Sequence, residues 1–290
     1  IQDDNGTTNN GVVSAATTWS TLIAAIQAAG GPAYDYRQID PVNGQDGGAP
    51  GGNIRQGFLF RTDRGLDFVD RPGASSLTAN AVVGAGASTQ LQYSPGRIDP
   101  TNTAFGSSRK PLAGEFTFRG RTVFVIANHF NSKGGDDALF GVNQPPVLTT
   151  EVQRLQQAQI EAAFVQQILA ADPTANIVVL GDLNDFEFSN PVNVLKAAGL
   201  NALIETLPQP ERYSYVFEGN SQTLDHIMAS NALIGEPYDY DVVHINSEFW
   251  DQISDHDPQV IRLTLNSAPT VSTGGPYVVD EGGSLTLTAS

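Results

Sequence analysis

The residues best suited to chemistry lie in the stretch NIVVLGDLND, residues 176–185. Its continuous apolar run, 177–180, is typical of a strand buried on both faces, and Gly181 ends that run. Asp182 and Asn184 follow at the kind of strand end where α/β proteins place their active sites. An ordinary capped turn explains these residues equally well, so the rest of the chain must decide between a turn and a site.

Three of the four histidines end or follow strand-like runs beside other polar residues: ANHFNSK at His129, LDHIM at His226 and SDHDPQ at His256. Taken singly, each is more often a capping or core histidine than a catalytic one. Jointly with nearby polar residues they offer oxygen ligands for a hard divalent cation and a carboxylate that could orient an imidazole. The residues concerned are Asp182, Asn184, Asp225, Asp255 and His256. Such a set suits metal-assisted hydrolysis of a phosphodiester.

Apolar spacing predicts the elements that would position these side chains. Val152, Leu155, Ala158 and Val165 recur at helical spacing and predict a long helix over residues 150–170, directly before the strand that carries Asp182. Shorter helices are predicted at residues 18–29 and 191–198. Strands are predicted at residues 34–39, 54–61, 111–118, 121–129, 213–217, 223–229, 238–245 and 258–265.

Two connecting segments carry further expectations. Arg119 and Gly120 separate two alternating runs and predict a two-residue hairpin turn. Residues 131–148, NSKGGDDALFGVNQPPVL, form a loop longer than a connection requires, which is typical of functional or mobile loops. Because helices and strands alternate while hairpins also occur, the sequence predicts an α/β fold with a mixed sheet.

The composition excludes several kinds of site. The 290 residues include no cysteine, so a thiol nucleophile, a disulfide and a Cys-ligated zinc are excluded. The formal charge of -16 argues against long-range attraction to nucleic acid, although ten of the fifteen Lys and Arg residues lie within 55–133 and leave a local basic patch open. No run approaches the roughly 18 apolar residues that span a bilayer, so no stable membrane insertion is expected.

The composition changes at Asn266. Residues 266–290 begin like a linker and continue with alternating Val, Leu and Thr. We therefore expect one domain over residues 1–265 and, at 266–290, a linker and the beginning of an immunoglobulin-like or PKD-like β-sandwich module. Further domains of the same polypeptide are expected, since the chain begins at Ile1 without an initiator Met and reads as a processed or internal piece. The oligomeric state is not indicated.

The number and order of the polar motifs resemble the endonuclease/exonuclease/phosphatase superfamily, and more closely its bacterial extracellular nucleases. The resembling segments run through nearly all of residues 1–265 and are DPVNGQDGGAPGGNIRQGFLFRTDRG, SSRKPLAGEFTFRGRTVFVIANHFNSKGGDD, FGVNQPP, VVLGDLNDFEFSNP, YSYVFEGNSQTLDHIM and VVHINSEFWDQISDHDPQV. The resemblance implies a deoxyribonuclease-like fold, a four-layer sandwich of two packed mixed β-sheets flanked by helices.

The resemblance also implies roles for individual residues. Asp182 takes the place of the carboxylate that orients or deprotonates the attacking water, Asn184 that of the carboxamide on the phosphate, and His256 that of the imidazole at the scissile phosphate. Asp225 resembles the partner that fixes His256, and His129 the family's second histidine. The implied substrate-binding residues are Arg55, Arg109, Asn128 and Asn131. The implied metal ligands are Asp182 and Asp255.

One part of the family pattern is not found. Family members normally begin with a strand bearing an Asn, followed by a metal-binding Glu, and IQDDNG resembles the sequence just after that Glu. We therefore expect both residues to precede Ile1, and weak Mg²⁺ affinity for the residues present unless Asp3 or Asp4 substitutes.

The expected function is that of a secreted or cell-surface enzyme of bacterial type. It would be a metal-dependent endonuclease or phosphodiesterase that hydrolyses DNA, with RNA left open, using Mg²⁺, Mn²⁺ or Ca²⁺. A phosphomonoesterase or sphingomyelinase-type diesterase of the same superfamily is the nearest alternative, and an exposed apolar loop would favour the lipid substrate. A non-catalytic binding or adhesion fragment of a larger surface protein is the other alternative, and the retained carboxylates and His256 argue against it.

Overall fold

A computed structural model describes residues 1–265 of the chain. The predicted linker and β-sandwich module at 266–290 lie outside the described residues and stay a prediction. Numbered along the chain, the strands are β1 (Tyr34–Gln38), β2 (Gly57–Arg61), β3 (Leu66–Phe68), β4 (Val82–Val83), β5 (Gln90–Leu91), β6 (Gly96–Arg97), β7 (Leu112–Phe118), β8 (Arg121–His129), β9 (Asn176–Asp182), β10 (Leu200–Ala202), β11 (Tyr215–Phe217), β12 (Asn220–Gln222), β13 (Asp225–Ser230), β14 (Tyr238–Val242) and β15 (Gln259–Leu263). The helices are α1 (Ala16–Ala28), α2 (Glu151–Ala171), α3 (Asn190–Ala197) and α4 (Asn231–Ile234).

A seven-stranded sheet forms the centre of the domain. Its strand order is β10-β13-β9-β8-β7-β3, and β6 also pairs with β7. Strands β8 and β9 are parallel, and the other pairs are antiparallel. The sheet is therefore mixed, as the sequence predicted. The predicted hairpin turn joins β7 to β8, with φ of 51° at Arg119 and 76° at Gly120.

Helices α2 and α3 cover one face of this sheet. Val165 and Ile168 of α2 and Leu195 of α3 are completely buried against Ile126 and Ile177 of the central strands. The long helix predicted at residues 150–170 is found at Glu151–Ala171. Its packing fixes the strand that leads into Asp182. None of the helices within residues 1–265 is long and apolar enough to cross a membrane.

Two separate antiparallel pairs cover the opposite face. In the pair of β1 and β2, Phe58 and Phe60 pack edge-on against Phe116 of β7, with ring centroids 5.5 and 5.7 Å apart. In the pair of β14 and β15, Ile261 and Leu263 pack against the same face of the sheet further along.

Helix α1 lies outside the first of these pairs. Its Trp19 stacks on Tyr36 of β1 with ring centroids 5.2 Å apart. The α/β layering with a central mixed sheet and flanking helices is confirmed. The second β layer differs from the prediction, because within residues 1–265 it consists of two antiparallel pairs and not of one mixed sheet.

Candidate active site

Strands β8, β9 and β13 are neighbours in the central sheet and carry polar residues at the same end of the sheet. In the parallel pair of β8 and β9, His129 lies opposite Asp182. In the antiparallel pair of β9 and β13, Asp225 lies opposite the same Asp182. Side chains directly opposite each other on neighbouring strands share a face of the sheet. Strand register therefore brings these three side chains together.

The turn after β9 is both a capped turn and part of the site. The backbone N–H of Asn184 donates to Oδ1 of Asp182 at 2.8 Å, and its Nδ2 donates to Oδ2 at 3.0 Å. Asn184 has a φ of 51°, in the left-handed region that Asn tolerates better than most residues. The turn thus holds a carboxylate and a carboxamide side by side.

Gly181 is required by the backbone of this turn. Its φ is +124°, and a Cβ there would lie 2.2 Å from the carbonyl oxygen of Asn128. We expect Gly181→Ala to lower the free energy of unfolding by about 2 kcal/mol or more, measured as a fall in Tm. Gly219→Ala is the matched control, since Gly219 also has a positive φ, +77°, but nothing lies within 4 Å of its Cβ position. Equal Tm losses in both variants would contradict the steric argument.

His256 is held by Asp225. The imidazole Nδ1 donates to Oδ2 of Asp225 at 2.5 Å, and the Ser214 hydroxyl donates to the same oxygen at 2.8 Å. The Tyr215 ring packs against the imidazole with centroids 4.8 Å apart. Burial lowers the pKa of His256, but the hydrogen bond and charge of Asp225, with the charges of Asp182 and Asp255, outweigh it and raise this pKa to about 9. The imidazole is therefore cationic near neutral pH, and Nε2 is the nitrogen that can donate to a substrate.

Asp182 is the carboxylate at the centre of the site. Burial, and next the charge of Asp225, raise its pKa to about 7, against the opposing charges of His256 and Arg109. Asp182, Asp225 and His256 each offer a ligand atom, and these atoms lie within 4.8 Å of one another. A carboxyl group with a pKa near 7 can accept a proton from water near neutral pH.

His129 completes this group as a neutral imidazole. Its Nε2 lies 3.5 Å from Oδ2 of Asp182. Burial, followed by the charges of Arg109 and His256, lowers the pKa of His129 to about 3. The contact with Asp182 is therefore not an ion pair at neutral pH.

These side chains lie in one cleft of about 1200 Å³. The predicted residues that line it are His129, Asp182, Asn184, Asp225, Asp255 and His256. Its other walls come from the loop segment 132–141, from residues 186–188 and from the hairpin of β11 and β12. The long loop singled out in the sequence thus forms one wall of the cleft.

Two predicted substrate-binding residues are placed where they cannot contact a substrate. Arg55 is 2% exposed, and its guanidinium donates to the carbonyl oxygen of Asn53 and to Oδ1 of Asp40. Asn128 is 4% exposed and donates to Oε1 of Glu161. Strand alternation explains the second case, because the residue before His129 must point to the opposite face of β8. Direct contact with substrate is therefore corrected for both residues.

The other two predicted substrate-binding residues also lie off the lining of the cleft. Arg109 is buried behind it, and its Nη2 donates to the carbonyl oxygen of Phe130 at 2.7 Å. Burial lowers the pKa of Arg109, while the charge of Asp182 opposes that shift. The positive charge of Arg109 in turn favours a lower pKa for Asp182. The backbone N–H of Asn131 donates to Oε1 of Gln157 at 2.9 Å, at the start of the long loop.

The donor set fits an oxygen-preferring divalent cation. Asp182 and Asp225 place two carboxylates together beside a single imidazolium, which leaves negative charge for a cation to neutralise. Oδ2 of Asp225 is already engaged by His256 and Ser214. Asp255, the other predicted ligand, is exposed and lines the cleft but is not part of the three-residue cluster. Asp182 is common to the predicted ligand pair and to the cluster.

Two buried residues that hold the turn after β9 in place were not identified as such from the sequence. Arg154 of α2 is completely buried and pairs with Asp185 and with Asp136, each at 2.8 Å, which ties the base of the long loop to the turn after β9. His226 is a core histidine, since it is 1% exposed and its Nε2 donates to the carbonyl oxygen of Asp185 at 2.8 Å. For Arg154, the signal in the sequence was a charged residue on the apolar face of the predicted helix.

A sequence model of the endonuclease/exonuclease/phosphatase family matches residues 90–258, which is more than half of the chain. This chain belongs to that family. The matched segment includes β7, β8, β9 and β13, together with His256. A comparison with curated proteins finds no match.

Solved structures of endonuclease/exonuclease/phosphatase proteins share the fold at low sequence identity. The human Nocturnin catalytic domain with bound sulfate anion is 14% identical, with 85% of this chain and 77% of that chain covered and a TM-score of 0.50. A family protein from Bacteroides vulgatus is 14% identical, with 86% and 81% covered and a TM-score of 0.50. Another from Leptotrichia buccalis is 10% identical, with 91% and 84% covered and a TM-score of 0.50. These similarities concern the fold alone.

Proposed function

We propose that this chain is a metal-dependent phosphodiesterase that hydrolyses DNA by in-line attack of an activated water. The observation that supports this most is the pair of Asp225 and His256, 2.5 Å apart, beside Asp182 and Asn184 in a single cleft. An in-line displacement at phosphorus needs a positioned water and a positive clamp on the phosphoryl oxygens. Family membership adds phosphoester hydrolysis as the general reaction class.

Each residue of the cleft has a role in this proposal. Asp182 orients the water and accepts its proton, because it is the carboxylate at the centre of the group, within 4.8 Å of Asp225 and His256. Cationic His256 donates from Nε2 to a phosphoryl oxygen. The Nδ2 of Asn184 donates to Oδ2 of Asp182 and to the carbonyl oxygen of Phe130, so a hydrogen bond to the phosphate would replace one of these two. Asp225 is a positioning residue that holds the imidazole. Arg109 contributes positive charge from behind the cleft.

A divalent cation such as Mg²⁺ would be held by Asp182, with Asp255 or Asp225, and would supply further positive charge to the pentacovalent phosphate. We expect EDTA to lower hydrolysis of plasmid and single-stranded DNA by about 10²-fold or more, because a bound cation contributes several kcal/mol of charge stabilisation. Adding back excess Mg²⁺ or Mn²⁺ should restore turnover, and Ca²⁺ is a third arm of the assay. Undiminished turnover after exhaustive chelation would rule out metal dependence.

A sphingomyelinase-type diesterase is the second candidate, because the structure exposes apolar side chains on two loops. Val142, Trp250 and Ile253 are 100%, 96% and 95% exposed. Loop 132–141 lines the cleft beside Val142, and Ser254 lines it beside Ile253. Exposed apolar residues of this kind are typical of lipid-contacting surfaces. Parallel assays with DNA, RNA, a phosphomonoester and sphingomyelin vesicles separate the candidates. Faster release of phosphocholine from the vesicles than cleavage of DNA would make a lipid the substrate.

We further propose that the protein acts outside the cell. The support is the resemblance of its motifs to bacterial extracellular nucleases. The assembled cluster of Asp182, Asp225 and His256 favours an enzyme over a non-catalytic adhesion fragment.

A further inference from the structure

Three exposed phenylalanines line the cleft above the candidate catalytic group and have no part in the proposed chemistry. Phe140, Phe188 and Phe217 are 76%, 61% and 49% exposed, and all three line the cleft. They come from three different segments: the long loop, the turn after β9 and strand β11. Large apolar side chains that stay exposed within a cleft are typical of a ligand-binding surface. We call these three residues the aromatic rim.

Two members of the aromatic rim are backed by inner rings. Phe188 stacks on buried Phe186 with centroids 5.2 Å apart and planes 16° apart. Phe217 stacks on Tyr215 with centroids 6.2 Å apart and planes 12° apart. Since Tyr215 in turn packs against His256, a continuous row of rings connects the candidate catalytic imidazole to the exposed Phe217. Phe188 and Phe217 therefore present supported flat surfaces in the same cleft as the candidate catalytic group.

The charges of the same cleft argue against binding of a DNA duplex, which would bring two rows of phosphates to it. Acidic Asp137, Glu187 and Glu218 line it alongside the cations Lys133 and Arg212. A duplex brings two phosphate rows past its binding protein and needs a basic footprint for them. An unpaired strand instead offers base faces that stack on aromatic rings, and amino groups on base edges that donate to Asp or Glu. Carboxylates interleaved with aromatic rings are complementary to unpaired bases.

We propose that the aromatic rim binds unpaired nucleobases that flank the scissile phosphate, so that the preferred substrate is single-stranded DNA or a single-stranded segment within a duplex. This inference rests on the proposed function, because it takes DNA hydrolysis at the Asp182 and His256 site as given. Carboxylates beside the rim, Glu187 next to Phe188 and Glu218 next to Phe217, would accept hydrogen bonds from the stacked bases.

The test compares kcat/KM of the full chain on three matched substrates. They are a mixed-sequence single strand, its blunt duplex, and a strand of equal length with abasic sites around the cleavable bond. We expect the single strand to be cleaved at least about tenfold faster than the other two. Phe188→Ala and Phe217→Ala should each lose about tenfold on the base-bearing strand, more than on the abasic strand, since stacking contributes about one such factor per base. Phe→Tyr changes should restore the loss and Phe→Leu changes should not.

The control variant is Leu77→Ala, which removes a side chain of similar exposure, 56%, that does not line the cleft. It should behave as the wild type on all substrates. Equal cleavage of single strand and duplex, unaffected by the rim variants, would overturn the rim proposal and leave the proposed function standing. If the wild type cleaves neither DNA nor bis(4-nitrophenyl) phosphate, both the rim proposal and the proposed function are wrong. If the Phe→Ala variants lose activity only on sphingomyelin vesicles, and Phe→Leu changes restore that activity, the rim binds lipid instead.

Discussion

His256→Ala should lower kcat/KM for DNA hydrolysis by about 10³-fold while the protein stays folded. The imidazole is the cationic donor of the proposed site, because Asp225 raises its pKa to about 9 against the effect of burial. Its side chain is 27% exposed at the cleft and forms no part of the hydrophobic core, so truncation removes a function and little packing. Circular dichroism and Tm check the fold, and initial rates on single-stranded DNA give the loss. Unchanged turnover would sink the assignment.

The role of Asp225 can be separated from that of His256 by a double-mutant cycle. Asp225→Asn alone should lower kcat/KM by about 10²-fold or more, since the imidazole loses the carboxylate that positions it at 2.5 Å. In the His256→Ala background the same change should add less than about threefold, because residues that act as a unit are not additive. Multiplying effects would show that Asp225 acts independently, for example as a metal ligand.

Asp251→Asn is the matched control for both variants. Asp251 is an exposed carboxylate on the loop that leads to His256, and it does not line the cleft. Its replacement should leave kcat/KM and Tm unchanged.

Much of the site could be predicted because its residues end strands. The apolar run before Gly181 identifies a central strand, and the alternation of residues 121–129 identifies its neighbour. Polar residues at the ends of adjacent strands are then brought together by register, as Asp182 and Asp225 are. At Asp182 and Asn184 the sequence fits a capped turn and an active site equally well, because the hydrogen bonds that cap the turn also hold the two site residues together.

Burial by distant elements was not predictable from spacing along the chain. Arg55 could not be recognised as buried until Asp40 and Asn53 were seen around it. Arg109 is covered in the same way, although its charge still reaches Asp182. The pattern of apolar and polar residues shows which residues lie at the end of a strand. It does not show which side chains are buried by another segment of the chain.

Pairing between short segments was the other gap. Strands such as β3 and β10 have three residues each, too few to show a period of two. The second β layer was expected as one mixed sheet, yet its two pairs are each joined by local antiparallel register. Apolar alternation indicates that a segment is a strand, and it carries no information about its partner.

Glu161→Gln is expected to remove a pH dependence of stability that a buried carboxyl group gives to the wild type. Glu161 of α2 is completely buried. Oε1 accepts from Nδ2 of Asn128 at 2.9 Å, and Oε2 has no hydrogen-bond partner within residues 1–265. Burial raises the pKa of Glu161 from 4.5 to about 8, although the hydrogen bond from Asn128 opposes the shift. The folded protein therefore keeps a proton that the unfolded chain releases.

The sign of the effect follows from that difference. Between pH 4.5 and about 8 the folded state binds one more proton at Glu161 than the unfolded state does. Stability must then fall as pH rises through this window, by on the order of 1 kcal/mol per pH unit from this group, and level off above it. The glutamine of the Glu161→Gln variant keeps the acceptor for Asn128 and has no charge to bury, so the unfolding free energy of the variant should lack this slope.

Denaturant unfolding at pH 5, 6, 7 and 8 measures the difference between the two proteins. Glu161→Gln should match the wild type near pH 5 and exceed it at pH 8 by on the order of 3 kcal/mol. Glu236→Gln, at a carboxylate whose side chain is 42% exposed, should retain the slope of the wild type. Parallel slopes for the wild type and Glu161→Gln would show that Glu161 is ionised in the folded state.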